Sequence, residues 1–257
     1  MLELSNWPIA QRQRIRGVLT DIDDTLTCDG EISPDAWQAL QQLQSAGYAV
    51  VAITGRPVGW SEPFAQSWPV DAIVAENGAV ALLGTRKLYL QDAITREHNS
   101  IRMQAVMQHV LQTVPGAEAS HDSEGRETDI AIDHSEFHHL DTDQITRVVQ
   151  LMQNAGMNAT VSSIHINGWF GSHNKLEGAR WIVRELFQRD LDAELETWAY
   201  VGDSTNDQLM FAHFANSVGV ANIQRFVPSL QHLPRYITPS ERGTGFSEVV
   251  QAILASR

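Results

Sequence analysis

A chain of 257 residues with 43% hydrophobic side chains can bury one large or two moderate cores, which argues against a disordered protein. Its formal net charge of −13 argues against nucleic acid or an anionic membrane as a surface partner. An anionic substrate stays open, because a few cations or a metal can reverse the potential inside a cleft.

Cys28 is the only cysteine, so no intrachain disulfide can form and a reducing compartment fits. The N-terminal "MLELSNWPIAQRQRIR" has no apolar leader segment, and no apolar run approaches the length of a membrane span, so a cytoplasmic protein is expected.

In chain order, the apolar run at residues 17–20 predicts a buried strand ending at Asp21. "SPDAWQALQQLQSAG" predicts a helix with Ser33 as N-cap, Pro34 at its first position and Gly47 past its end. "YAVVAIT" and "DAIVAE" read as two more buried strands, and "NGAVALLGTRKLYL" as a hairpin around Gly84. Continuous apolar strands alternating with helices imply a parallel sheet with right-handed crossovers.

From residue 85 the pattern changes. Met103, Val106, Met107, Val110, Leu111 and Val114 fit one face of a helix ended by Pro115-Gly116. "ETDIAID" alternates and predicts a half-exposed antiparallel strand. Ile145, Val148, Val149 and Met152 mark another helix, and "NATVSSIHIN" a further strand region. The buried-strand style then returns: a helix through Leu176, Ala179, Val183, Leu186 and Phe187, strands at "WAYVGD" and "SVGV", and a closing helix from Phe246 to Leu254. The expected fold is α/β: a Rossmann-like parallel core with helices on both faces, from 1–84 and 169–257, and an inserted α+β cap over 85–168.

Strand ends of an open parallel sheet converge on one crevice. Reading the polar residues there together collects Asp21, Asp23, Thr54, Gly55, Arg56, Asn77, Asp203 and Asp207, with Lys175 opening the helix that follows the inserted block. Each has a plain structural explanation alone: Thr54 as a turn residue, Lys175 as a solvated helix residue, Asp207 as an acid favoured by a helix dipole. Crowded carboxylates repel and lose hydration, a cost that a bound Mg²⁺ would offset. Carboxylates, a hydroxyl and a lysine together suit Mg²⁺ and a phosphoryl group.

"DIDDTLT", "ITGRP", "HNKLEGA" and "VGDSTND" resemble, in order and spacing, the four motifs of the haloacid dehalogenase-like phosphatase superfamily. The insertion between the second and third resembles the type IIB cap of sucrose-phosphate, mannosyl-phosphoglycerate and phosphoglycolate phosphatases, and "AENGA" at 75–79 also matches a run seen there. The resemblance implies a Mg²⁺-dependent phosphatase of a small phosphorylated metabolite, a sugar phosphate above all. Asp21 would be the nucleophile, forming an aspartyl-phosphate, and Asp23 the acid and then the base. Mg²⁺ would be held by Asp21, the carbonyl of Asp23 and Asp203, with Asp207 either a further ligand or, like Asn206, an orienting group. Thr54 and Lys175 would bind the phosphoryl group. Gly55, Arg56, Asn77 and Asn206 would line the substrate site, and His165 and Asn167, at the return from the cap, would reach the leaving group.

Two other readings share these residues. A phosphomutase would return the phosphoryl group to its substrate, and a phospho-accepting signalling module would keep it; the inserted block and Asp23 argue against the latter. The histidines of "DHSEFHH" (His134, His138 and His139) match no zinc pattern and read as a polar turn. The cap is expected to be a mobile cover over Asp21 that reads the leaving group.

Overall fold

The computed structural model describes residues 1–256. A nine-stranded sheet runs in the order Leu2–Glu3, Tyr236–Ile237, Ser217–Gly219, Trp198–Gly202, Gly17–Thr20, Ala49–Ile53, Ala72–Ala75, Val80–Leu83 and Arg86–Tyr89. Pairing is parallel from the first edge to Ala72–Ala75 and antiparallel across the last two strands. The short edge strand Leu2–Glu3 and its neighbour Tyr236–Ile237 carry too few residues for a periodic signal.

Both faces of the sheet are covered, which is why its central strands are apolar at every position. Val18, Val50, Ala52 and Ile73 pack under the helices Pro34–Ser45, Val58–Ser67 and Arg242–Leu254, while Leu19, Val51, Ile53 and Val74 pack under Lys175–Phe187 and Gln208–His213. The first helix starts as its sequence dictates: Ser33 Oγ accepts the Ala36 amide at 3.2 Å, and Gly47 turns the chain at φ +76°.

A second sheet, in the order Asn158–Val161, His165–Trp169, Ile130–Asp133 and Glu118–Ala119, is antiparallel and carries the helices Ala93–Thr113 and Thr142–Asn154. Three details differ from the sequence reading. The hairpin arm Arg86–Tyr89 extends the large sheet past residue 84, and the return strand runs to Trp169, so the inserted helices and sheet span 93–169. "NATVSSIHIN" forms two strands joined by a turn at Ser162–Ile164. Leu111 lies off the buried stripe of Met103, Met107, Val110 and Val114 and is 38% exposed.

The strand Ile130–Asp133 alternates as expected, yet all four residues are buried instead of half-exposed. Ile130 and Ile132 face the two helices with Ile166. The opposite face, which carries His165 and Asn167, lies against the crevice of the large sheet, so its polar residues are covered by protein rather than water.

The helix Lys175–Phe187 is seated by a contact of two glycines. A Cβ on Gly178 would stand 2.5 Å from Gly78 Cα, and one on Gly78, at φ +106°, would stand 2.3 Å from the Asn174 carbonyl oxygen. That approach delivers the first residue of the helix, Lys175, to the strand ends. Gly178→Ala should therefore lower stability by about 1–3 kcal/mol, the cost of overpacking a tight contact, read as a drop in the urea midpoint at unchanged slope.

Candidate active site

The strand Gly17–Thr20 ends at Asp21, whose amide still donates to Val201 O at 2.9 Å, so the backbone fixes the carboxylate at the sheet edge. Lys175 Nζ donates to Asp21 Oδ1 at 2.5 Å and to Asp207 Oδ1 at 2.7 Å, with all three side chains nearly solvent-free. Asp203 ends the neighbouring strand Trp198–Gly202 and is fully buried. Its Oδ2 accepts from Asn222 Nδ2 at 3.0 Å, while its Oδ1 has no partner among the described residues.

Oxygens of Asp21, Asp203 and Asp207 lie within 4.8 Å of one another. Burial and mutual repulsion raise the proton affinity of Asp21, with Lys175 opposing, and that of Asp203 well above the ordinary range. Lys175, with the half-exposed Arg225 3.5 Å from Asp203 Oδ2, does not balance three buried carboxylates, and a buried Asp203 oxygen without a partner among the described residues faces that excess. The donor set fits a hard divalent cation bound through oxygen.

Asp207 differs from the other two. Its Oδ1 takes Lys175 and the Tyr200 hydroxyl (2.5 Å), and its Oδ2 takes the amides of Asp203 (2.9 Å) and Ser204 (3.1 Å). With both oxygens engaged, Asp207 holds Lys175 and the loop after the strand in place, while its carboxylate stays within the group of three that could share a cation. Asn206 binds the Ser204 hydroxyl at 2.9 Å beside the same loop.

The second motif is gripped from several sides. Thr54 Oγ1 accepts the Arg56 amide at 2.9 Å and lies 3.5 Å from Asp23 Oδ2. The Gly55 carbonyl accepts from Arg126 (3.0 Å) and Asn167 (3.2 Å), both on the inserted block. Arg56, a candidate for substrate contact, is instead committed to three carboxylates: Asp23 at 2.9 Å, Asp122 at 3.2 Å and Glu136 at 2.7 Å. His165, a candidate for the leaving group, pairs with Glu136 at 2.9 Å, and Asn167 also binds Asp129 at 2.9 Å. Asn77 sits at φ +55° with its amide on Thr54 O at 2.9 Å, and its Nδ2 is buried without a partner among the described residues.

Several residues that were not candidates also build this site, one of them inside the "AENGA" run. Glu76, fully buried at φ +50°, accepts the amides of Val58, Glu127 and Thr128 and the Thr128 hydroxyl, joining the two sheets through one carboxylate. Within "DHSEFHH" it is Glu136 that reaches the crevice. His134 is buried on the Ser162 carbonyl, His138 pairs with Glu118, and His139 is exposed. The signal that finds Glu136 is a lone acid opposite Arg56, visible only once the turn is folded.

Residues 18–114 match the family of haloacid dehalogenase-like hydrolases. Among solved structures, a Thermoplasma acidophilum protein overlays with a TM-score of 0.72 at 15% identity, covering 93% of this chain and 98% of that one. The sucrose-phosphatase of Synechocystis sp. PCC6803, solved with sucrose and phosphate, gives 0.64 at 15% identity over 94% and 98% of the two chains. A sugar phosphatase of subclass IIB gives 0.65 at 16% identity over 94% and 100%. A Streptococcus pyogenes serotype M6 protein, provisionally named a phosphatase, is 22% identical over 92% of this chain and 97% of its own. The family match covers the first part of the chain, and over nearly its whole length the chain shares the fold of these solved structures, inserted block included. No helix among the described residues is long and apolar enough to cross a membrane.

The ion pairs across the crevice have a pH signature. Burial raises the proton affinity of Glu136, but His165 and Arg56 outweigh it and bring its pKa from 4.5 to about 2. Burial likewise acts on Asp122, where Arg126 and the neighbouring cations prevail and bring it from 3.8 to about 2. Both folded values lie below the unfolded ones, so this stabilisation is complete above about pH 4.5 and is lost as pH falls through about 2. In urea titrations from pH 5 to pH 2, Glu136→Gln should lose less stability than wild type over that window. Parallel curves would mean that the pair contributes nothing to the closed arrangement.

Proposed function

We propose that the protein is a Mg²⁺-dependent phosphatase that hydrolyses a small phosphorylated metabolite, a sugar phosphate, through a phosphorylated Asp21. The observation that carries this reading is the buried group of Asp21, Asp203 and Lys175, with an unpaired Asp203 oxygen beside the nucleophile. Asp21 attacks phosphorus through a carboxylate oxygen, and Lys175 holds the attacking carboxylate and offsets charge on the phosphoryl group. Asp23 gives a proton to the ester oxygen as the P–O bond breaks. It then takes a proton from the water that hydrolyses the aspartyl-phosphate. Thr54 and the Nδ2 of Asn77 are donors for phosphoryl oxygens. Mg²⁺, held by Asp21, Asp203 and the backbone carbonyl of Asp23, would neutralise charge shared between nucleophile and phosphoryl group.

The space between Asp21 and the Ser162–His165 turn is only about 10 Å³, room for about one water, so a phosphate ester requires the inserted block to lift. That supports the block as a moving cover that leaves and returns with each turnover, an arrangement unsuited to a signalling module whose phosphoryl group must stay displayed to a partner. Beside Asp23 a cavity of about 310 Å³ opens to solvent, lined by Ser135, Ser163 and Phe137, whose ring stacks on His121, and by charged groups of both signs such as Asp24, Glu136 and Arg242. A ring face and hydroxyl partners suit a sugar, and the sugar phosphatases among the structural relatives support the same class.

The test is phosphate release over a panel of sugar phosphates, phosphoglycerates, nucleotides and p-nitrophenyl phosphate. Turnover should need Mg²⁺, stop in excess chelator, and vanish in Asp21→Asn. Full activity of Asp21→Asn, or none of wild type on any member of the panel, would overturn the reading.

A further inference from the structure

Arg56 is 6% exposed and spends its whole guanidinium on carboxylates from two different sheets. Nε donates to Asp23 Oδ1 at 2.9 Å on the side of the nucleophile. NH1 reaches Asp122 at 3.2 Å and NH2 reaches Glu136 at 2.7 Å, both on the inserted block. A guanidinium is a rigid planar fork, so the direction of its Nε–H is set by where the other two nitrogens are held. Those anchors are themselves held: Asp122 by Arg126 and the Ser120 hydroxyl, Glu136 by His165. On the core side the Arg56 backbone is fixed by Thr54 Oγ1 and by the Glu76 amide, and the guanidinium lies 5.1 Å from the centroid of the Trp60 ring.

We propose that Arg56 is a positioning residue through which closure of the inserted block aims the acid Asp23; this rests on the phosphatase reading above. With the block raised, Asp122 and Glu136 leave, and Arg56 keeps only Asp23 and the Trp60 face, neither of which fixes the plane of the fork. With the block down, three contacts fix it, and Arg56 Nε holds Asp23 Oδ1, so the proton that Asp23 gives sits on Oδ2, which lies 3.5 Å from the Thr54 hydroxyl and is left to the ester. The dependence runs both ways. Without a cation between them, Asp23, Asp122 and Glu136 would be three carboxylates gathered over the nucleophile, and closure would be opposed. Proton donation is thus assembled only when the ester is enclosed.

An acid matters in proportion to how poor the leaving group is. An alkoxide departing from a sugar needs the Asp23 proton as the P–O bond breaks, whereas p-nitrophenolate leaves without it. Arg56→Lys keeps the charge but loses the fork. It should lower kcat by about 10²-fold on the best alkyl phosphate of the panel and by tenfold or less on p-nitrophenyl phosphate, with KM for both little changed. Glu136→Gln combined with Asp122→Asn should reproduce that ratio although neither touches Asp23. Adding Arg56→Lys to the pair should cost little more, because all three act through one contact.

Equal proportional losses on the two esters, or a rise in KM alone, would overturn the proposal and make Arg56 a general binding or structural residue, leaving the phosphatase reading intact. Wild type that turns over neither ester would instead overturn the phosphatase reading and this one with it. If Arg56→Lys fails to fold, judged by its thermal melt, the double variant of the inserted block decides between the same two outcomes.

Discussion

The structure depends on one electrostatic constraint: three carboxylates, Asp21, Asp203 and Asp207, share a buried strand edge with one buried lysine and, at 3.5 Å from Asp203, the half-exposed Arg225. Hydrophobic burial would tolerate none of these groups, and a charge without a partner there would cost several kcal/mol. Much of the surrounding architecture answers that problem. The Gly78–Gly178 contact brings a helix close enough to deliver Lys175. Tyr200 and two backbone amides join Lys175 on the two oxygens of Asp207. Asn222 binds one oxygen of Asp203 and leaves the other bare. The carboxylates thus divide into one with both oxygens engaged that holds the lysine, one paired with that lysine, and one, Asp203, with an oxygen that no described residue binds. The same residue type performs different tasks because its partners differ from one position to the next.

This division explains what the sequence could and could not disclose. Asp21, Thr54, Lys175 and Asp203 were legible because each follows an apolar strand or opens a helix, and strand ends of a parallel sheet meet at one edge. Their convergence follows from topology, which the alternation of strands and helices specifies. Asp207 was legible as a member of the group with two roles open, ligand or orienting group, since the two differ only in where two hydrogen bonds go. Glu136 and Asp122 were not legible at all, and Glu76 only as part of the "AENGA" run. Glu136 and Asp122 sit in turns with no periodic pattern, and their importance arises from Arg56, which lies opposite them only after folding, 80 and 66 positions away; Glu76 likewise gains its role from amides brought to it by the fold.

The strand Ile130–Asp133 fails in a related way. Alternation reports which residues share a face, and it did so correctly; it cannot report what covers that face. An antiparallel sheet with one face on helices is ordinarily wet on the other. Here the second face rests on the crevice, so His165, Asn167 and Asp133 are polar residues in a dry place, each with a named partner. The alternating pattern of a half-exposed strand is also the pattern of a strand whose polar face closes over a site.

Seen from that face, the two sheets meet through charge rather than through apolar surface. Glu76 receives the backbone of Glu127 and Thr128, Arg126 and Asn167 hold the Gly55 carbonyl, and Arg56 spans Asp23, Asp122 and Glu136. An apolar interface of this size would close once and stay closed, since its driving force is indifferent to what lies in the crevice. Hydrogen bonds and ion pairs exchange with water at small net cost, so such an interface can part and re-form. They are also directional, so re-forming restores one geometry for Thr54, Gly55 and Arg56. A polar seam therefore reconciles two demands that the proposed reaction makes and an apolar seam would set against each other: opening of the crevice for an ester, and return of its second motif each time to the same atoms.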